Sequence, residues 1–151
     1  MPRFSVCIPS YNNARYLEAC VKSVLSQDFR DIELIVINDG STDDTSALLD
    51  RIASGDDRVI AVNRADNRGL HRTRAEGVEL ATGDYTVFLD SDDEFLPGFL
   101  VKLDSALQAN PADLLHFGIK VEDCGVGSSE AGQFESYINA PLEELSGEGI
   151  L

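Results

Sequence analysis

Short apolar runs alternate with helix-period segments through the first 120 residues, and few folds accommodate that alternation. Residues 4–8, 32–37, 59–62, 85–89 and 114–120 are the runs. They are rich in β-branched and aromatic side chains and read as strands. Between them lie helical patterns over 14–26, 45–53, 70–81 and 97–109. In the first, Leu17, Cys20, Val21, Val24 and Leu25 recur at helical spacing. Ser41 and Thr42, with Asp44 three after Ser41, are capping candidates for the second. Gly83 follows the end of the third, and Pro97 falls in the first turn of the fourth. Strands joined by helices of this length form right-handed βαβ units. The expectation is an α/β protein with a mainly parallel sheet and helices on both faces. Strands covered on both faces should be almost continuously apolar, and these are, apart from Glu33 in the second.

The pattern weakens after Lys120. Gly, Ser and Glu accumulate over 125–133, and the remainder has little periodicity. The expected division is an α/β domain over 1–120, followed by a loop and the start of a further region over 121–151. Glu143-Glu144 sits in Pro141-Leu142-Glu143-Glu144-Leu145-Ser146, which reads as the start of a helix.

Charge and cysteine narrow the function. The net charge of -15 argues against nucleic acid or an anionic membrane surface as a direct partner. An acidic chain still binds an anionic phosphate when a cation mediates. Cys7, Cys20 and Cys124 are odd in number and far apart in sequence. Cys7 falls in an apolar strand and Cys20 on the apolar face of a helix, so both are expected as free thiols in a reducing compartment. No Cys/His spacing suggests zinc. The apolar run at 4–8 is too short for the core of a signal peptide, and no stretch is long enough to span a membrane.

The chemistry gathers at the strand ends. Asp90-Ser91-Asp92-Asp93 follows directly on the fourth strand. Acids packed there repel one another unless a cation sits among them. Asp90 and Asp92, two apart, share a face in extended geometry and suit a hard divalent ion, Mg²⁺ or Mn²⁺. The structural alternative is that Ser91-Asp92-Asp93 caps the next helix. In open α/β sheets, ligands bind beyond the carboxyl ends of the strands. Pro9-Ser10-Tyr11-Asn12-Asn13, Asn38-Asp39-Gly40-Ser41-Thr42 and the segment from Arg64 to Gly69 share that rim with the acidic quartet. Tyr11 can stack on a base or simply pack on the sheet edge. Asp39-Gly40 and Asn67-Arg68-Gly69 can each be no more than turns. Arg72 lies four residues before Glu76, which suits a surface ion pair, and His71 suits a solvated or packed role.

These segments together resemble the family 2 glycosyltransferases. The resemblance is carried by Phe4-Ser5-Val6-Cys7-Ile8-Pro9-Ser10-Tyr11-Asn12, Ile35-Val36-Ile37-Asn38-Asp39-Gly40-Ser41-Thr42-Asp43, Asn67-Arg68-Gly69-Leu70 and Phe88-Leu89-Asp90-Ser91-Asp92-Asp93, in that order. It implies the GT-A fold, a Rossmann-like nucleotide-diphospho-sugar transferase architecture. It also implies an inverting, metal-dependent transfer from a nucleotide-sugar, by family frequency a UDP-sugar, to an acceptor hydroxyl of a glycan or lipid-linked acceptor. A cytoplasmic site of action in cell-surface glycan synthesis follows on the same ground, with membrane association through the missing part of the full-length protein as the alternative. By position, Pro9 and Tyr11 resemble the loop against the nucleoside. Asp39 resembles the acid that accepts a hydrogen bond from the base, and Asn67 falls in the third nucleotide-side motif. Asp90 and Asp92 resemble the DxD pair, the first near ribose and metal, the second on the metal, Mn²⁺ or Mg²⁺. The family's general base is an acid beyond the fifth strand, in a region with no counterpart motif here. It is expected beyond residue 151, which makes this chain the donor-binding portion of a longer protein.

Rival classes fit less well. A nucleotidyltransferase opens with a Gly-rich basic loop after strand one, where this chain has Pro9-Ser10-Tyr11-Asn12. A receiver-like signalling module needs acids after strand one and a Lys after strand five, and a dehydrogenase needs Gly-x-Gly-x-x-Gly. A non-catalytic nucleotide- and metal-binding fragment is the remaining alternative.

Overall fold

A computed structural model describes residues 1–114. Within it, Met1–Ala109 form one compact unit. Four strands, β1 (Phe4–Ser10), β2 (Ile32–Asn38), β3 (Val59–Asn63) and β4 (Tyr85–Phe88), alternate with four helices, α1 (Ala14–Leu25), α2 (Thr45–Ala53), α3 (Leu70–Leu80) and α4 (Phe99–Ala109). The sheet order is β3-β2-β1-β4, and every pairing is parallel. The strand expected over 114–120 lies outside the described residues from 115 onward, as do Cys124, the boundary at 120/121 and Glu143-Glu144.

This order explains which helix covers which face. The chain steps outward from β1 to β2 to β3, then returns past β1 to β4. With right-handed crossovers, α1 and α2 lie on one face and α3 on the other. β1 and the last five residues of β2 are buried throughout, because cover comes from both sides. On the α3 side, a Cβ at Gly77 would meet Cys7 Sγ at 3.1 Å and Ile37 Cδ1 at 3.8 Å, so the helix rides close to the sheet. Leu17, Cys20, Val21 and Val24 of α1, Leu48 and Leu49 of α2, and Leu100, Leu103 and Leu107 of α4 are the buried stripes of the other helices.

Glu33, the polar exception in β2, has a local task. It accepts hydrogen bonds from Ser5 Oγ at 2.5 Å and Thr82 N–H at 2.6 Å, tying the start of β4 to the inner strands. The outward step followed by the return places a switch point between β1 and β4, where the loops after the two strands diverge. That crevice is where an open α/β sheet takes its ligand.

Candidate functional site

Side chains that read as ordinary loop residues staple the first two rim loops together. Asn12 is the one non-glycine residue with positive φ among those described, at 52°. Its backbone N–H donates to Ser41 Oγ at 2.9 Å, and its Oδ1 accepts Thr42 N–H at 2.7 Å. Asp43 reaches two helix N-termini at once. Its Oδ2 accepts Ala14 N–H at 3.1 Å, and its Oδ1 accepts Thr45 N–H at 3.0 Å and Thr45 Oγ–H at 2.5 Å. Burial pushes this carboxyl upward, but the hydrogen bonds from Thr45 and Ala14 outweigh it and hold the group below the usual carboxylate range. The N-terminus of α1, a common phosphate seat in such folds, is therefore already served by an internal carboxylate.

Pro9 is buried near the end of β1, and Tyr11 stands 49% exposed just beyond it. Ser10 Oγ is buried between them without a hydrogen-bond partner. Across the sheet, Asp39 is 3% exposed and organises the loop after β3. Arg64 Nη1 donates to its Oδ1 at 2.9 Å, Arg68 N–H spans both oxygens at 3.0 and 3.1 Å, and Gly69 N–H reaches Oδ2 at 2.8 Å. Burial again pushes the carboxyl up, and the donors at Arg68, Arg64 and Gly69 bring it below its ordinary value. Gly40, at φ +71°, lets that loop close in, since a Cβ would lie 2.5 Å from the Asp66 carbonyl carbon. Asn67 is exposed, and its Oδ1 accepts Gly69 N–H at 3.0 Å.

The acidic quartet is a turn rather than a continued strand. β4 ends at Phe88, and Asp93 N–H donates to Asp90 O at 3.0 Å. Extended geometry therefore does not persist through Asp90 and Asp92. The capping alternative also fails, because α4 begins only at Phe99, after Gly98 at φ +74°. Ser91 turns inward, and its Oγ accepts Asn13 Nδ2–H at 2.7 Å, which fixes the turn to the first rim loop. Cys20 Sγ–H donates to Asp90 O at 3.4 Å from below. Arg74 Nη2 of α3 donates to Asp90 Oδ1 at 2.6 Å. Asp92 is exposed and has no hydrogen-bond or ion-pair partner among the described residues. Burial, and then repulsion by Asp92 and Asp90, push the Asp93 carboxyl above its ordinary value. An all-oxygen, mutually repelling donor set of this kind fits a hard divalent cation. No three His, Cys, Asp or Glu side chains converge into a self-sufficient metal cage among the described residues.

The fold thus brings Pro9, Tyr11, Asp39, Asn67, Asp90 and Asp92 to one rim. Other expectations need correction. Glu76 pairs with Arg64 rather than Arg72, because the loop after β3 delivers Arg64 to the flank of α3. The anchor of α2 is Asp43, not Ser41 or Thr42, which are taken up by Asn12. The signal was present in Asp43-Asp44-Thr45, an acid two residues before the first helical residue. For Arg74 and Asp90, sixteen residues apart, charge complementarity was the only hint.

The Glycosyl transferase family 2 model matches residues 5–147. GalNAc(5)-diNAcBac-PP-undecaprenol beta-1,3-glucosyltransferase of Campylobacter jejuni is 38% identical over 104 residues, 68% of this chain and 34% of that protein. Glycosyltransferase GlyG of Streptococcus pneumoniae is 32% identical over 74% of this chain and 37% of that protein. The chain thus spans little more than a third of these relatives. Among solved structures, Staphylococcus aureus TarS 1-349 in complex with UDP-GlcNAc superposes with a TM-score of 0.75 at 28% identity, covering 85% of this chain and 38% of that one. The mannosyltransferase PcManGT from Pyrobaculum calidifontis, in complex with GDP-Man and Mn²⁺, does so at 0.67 and 27%, covering 73% and 33%.

Proposed function

The chain belongs to glycosyl transferase family 2 and has its GT-A fold, and on that premise we propose that it is the donor-binding portion of an inverting glycosyltransferase. The reaction moves a sugar from a nucleotide-sugar, a UDP-sugar by preference, to an acceptor hydroxyl. The observation that carries this reading is the gathering of Tyr11, Asp39, Asn67, Asp90 and Asp92 on the rim formed by the loops that follow β1, β2, β3 and β4. Pro9 and Tyr11 flank the nucleoside. A carboxylate has about four lone-pair positions. Three internal donors meet Asp39 in four hydrogen bonds, Arg68 N–H being shared between both oxygens, so the N3–H of uracil takes over one of the two positions that Arg68 shares. Asn67 lines the ring from the third loop. Asp90 meets the ribose side, and Asp92 with Asp90 holds Mn²⁺ or Mg²⁺. The bound ion supplies charge neutralisation at the departing diphosphate. The chain's own role is to hold the diphosphate where that happens, on the β4 side rather than at the sealed N-terminus of α1.

The acceptor on this reading is a glycan or lipid-linked hydroxyl, the setting cell-surface glycan synthesis, and the compartment cytoplasmic. None of the described helices is long and apolar enough to cross a membrane. The test is a thermal-shift panel of UDP, GDP, dTDP and CDP, each with Mn²⁺ or with EDTA. A ligand that binds only the folded state raises the midpoint by mass action. UDP with Mn²⁺ is expected to raise it most, and EDTA to abolish the shift. Absence of a shift with every nucleotide would overturn the proposal.

A further inference from the structure

We propose that Arg74 is a positioning residue that makes cation binding at the acidic turn depend on the nucleotide. The inference rests on the donor-binding reading above and adds a coupling that the reading does not contain. Arg74 reaches from α3 across to the end of β4. Its Nη2 holds Asp90 Oδ1 at 2.6 Å, and its guanidinium carbon lies 6.0 Å from the centroid of the Phe88 ring. Its Nε is buried without a hydrogen-bond partner, so the group is fixed by Asp90 and by packing. The pair is only partly covered, 34% exposed at Arg74 and 48% at Asp90, and so opens onto the rim.

Two consequences follow. Arg74 takes one Asp90 oxygen and adds a positive charge to the turn. Among the described residues no third acid, Asp93 included, joins Asp90 and Asp92 in a group that could hold the ion by itself. A divalent ion alone therefore meets one free carboxylate, Asp92, and one shared with a guanidinium. Phosphate oxygens change the balance, because they add ligands to the ion and negative charge beside Arg74. Asp90, held through Oδ1, keeps Oδ2 oriented for the incoming complex. Ion and nucleoside diphosphate then bind together more tightly than either binds alone, and linkage makes the coupling reciprocal.

The prediction has opposite signs in two arms, which structural damage does not produce. Arg74→Gln removes the positive charge and frees Asp90. Mn²⁺ alone, followed by the electron paramagnetic resonance of the free ion, is expected to bind about 5-fold tighter, because a cation no longer faces a cation a few ångströms away. UDP at saturating Mn²⁺, followed by calorimetry, is expected to bind about 10-fold weaker, since Asp90 loses its orientation and phosphate loses a counter-charge. Arg74→Lys keeps the charge without the planar fork. It should leave the ion-only affinity within 2-fold of the unmodified chain and recover part of the UDP affinity; if Arg74→Gln fails to fold, Arg74→Met, which removes the charge but keeps the apolar stem, carries the same two-arm comparison. Weaker or unchanged Mn²⁺ binding in Arg74→Gln overturns the coupling. If the unmodified chain binds no nucleotide, the donor-binding reading fails instead, and the ion-only arm still decides whether Arg74 competes for Asp90.

Discussion

Cys7 and Cys20 are buried free thiols, as expected from their apolar settings. Burial is the main reason that both are pushed up to about 12, reinforced by Glu33 at Cys7 and by the acidic turn at Cys20. A thiolate is the reactive form, so native protein at pH 8 should take up alkylating reagent at neither position. Unfolded protein should take it up at both, and peptide mass spectrometry distinguishes the two. Asp39 gives a second prediction at this scale. Its partner Arg64 is as buried as it is, at 6% and 5% side-chain exposure. Asp39→Ala leaves Arg68 N–H without an acceptor and takes one partner from Arg64 and one from Gly69 N–H, which keep Glu76 with Thr73 and Asn67 respectively, and urea unfolding should register a loss of about 1–3 kcal/mol. The depressed carboxyl also sets a pH dependence. A group whose value is lowered by folding stabilises above its unfolded value, about 3.9. That contribution is lost as pH falls through the lower folded value. Asp39→Asn should therefore flatten the acid limb of the stability curve below about pH 4 and should narrow any preference for UDP over CDP. An unchanged acid limb would remove Asp39 from this account.

The elements were legible because their periodicity is strong, and their ends were less so. Strand and helix positions follow the sequence pattern closely, since β1 and β2 are buried on both faces and α1 buries one clean stripe. β1 runs on to Ser10 and β2 to Asn38, because each is held by its neighbour past the last apolar residue. α4 starts two residues after Pro97, because Gly98 at φ +74° breaks the backbone first. Hydrogen bonds between distant loops had no local signature. The Asn12 staple and the double cap at Asp43 are of this kind. Gly40 tests the closeness of the second and third rim loops. Gly40→Ala forces a positive φ on a residue with a Cβ and drives that Cβ into the backbone of Asp66 and Asn67. A destabilisation of at least about 1–3 kcal/mol is expected, with a larger fall in nucleotide affinity than in melting temperature. Gly69→Ala is the control, at φ +87° with open space around it. Equal nucleotide affinities in the two variants would show that loop contact at Gly40 does not shape the site.

At the scale of the whole molecule, the topology explains why the loops of the proposed donor side could be grouped from sequence and an acceptor side could not. A sheet ordered β3-β2-β1-β4 sends four loops to one rim, and sequence alone could group those loops once the strands were placed. A general base must lie on the far side of the sugar from the leaving diphosphate, and the rim acids have other commitments. Asp39 holds the loop after β3, Asp43 caps two helices, and Asp90 is held by Arg74. Asp92 and Asp93 stand on the proposed leaving-group side. The 151-residue chain is accordingly expected to bind nucleotide-sugar but to transfer sugar to an acceptor at no useful rate. General-base assistance is worth about 10²–10⁴-fold, and acceptor positioning contributes up to roughly 7–11 kcal/mol more. Slow loss of the sugar to water is the only turnover anticipated. A radiolabelled-donor assay, with a glycan acceptor and separate counting of free and transferred sugar, measures both routes. Efficient transfer would place a base within residues 115–151, and Glu143→Gln and Glu144→Gln would then be the variants expected to abolish it.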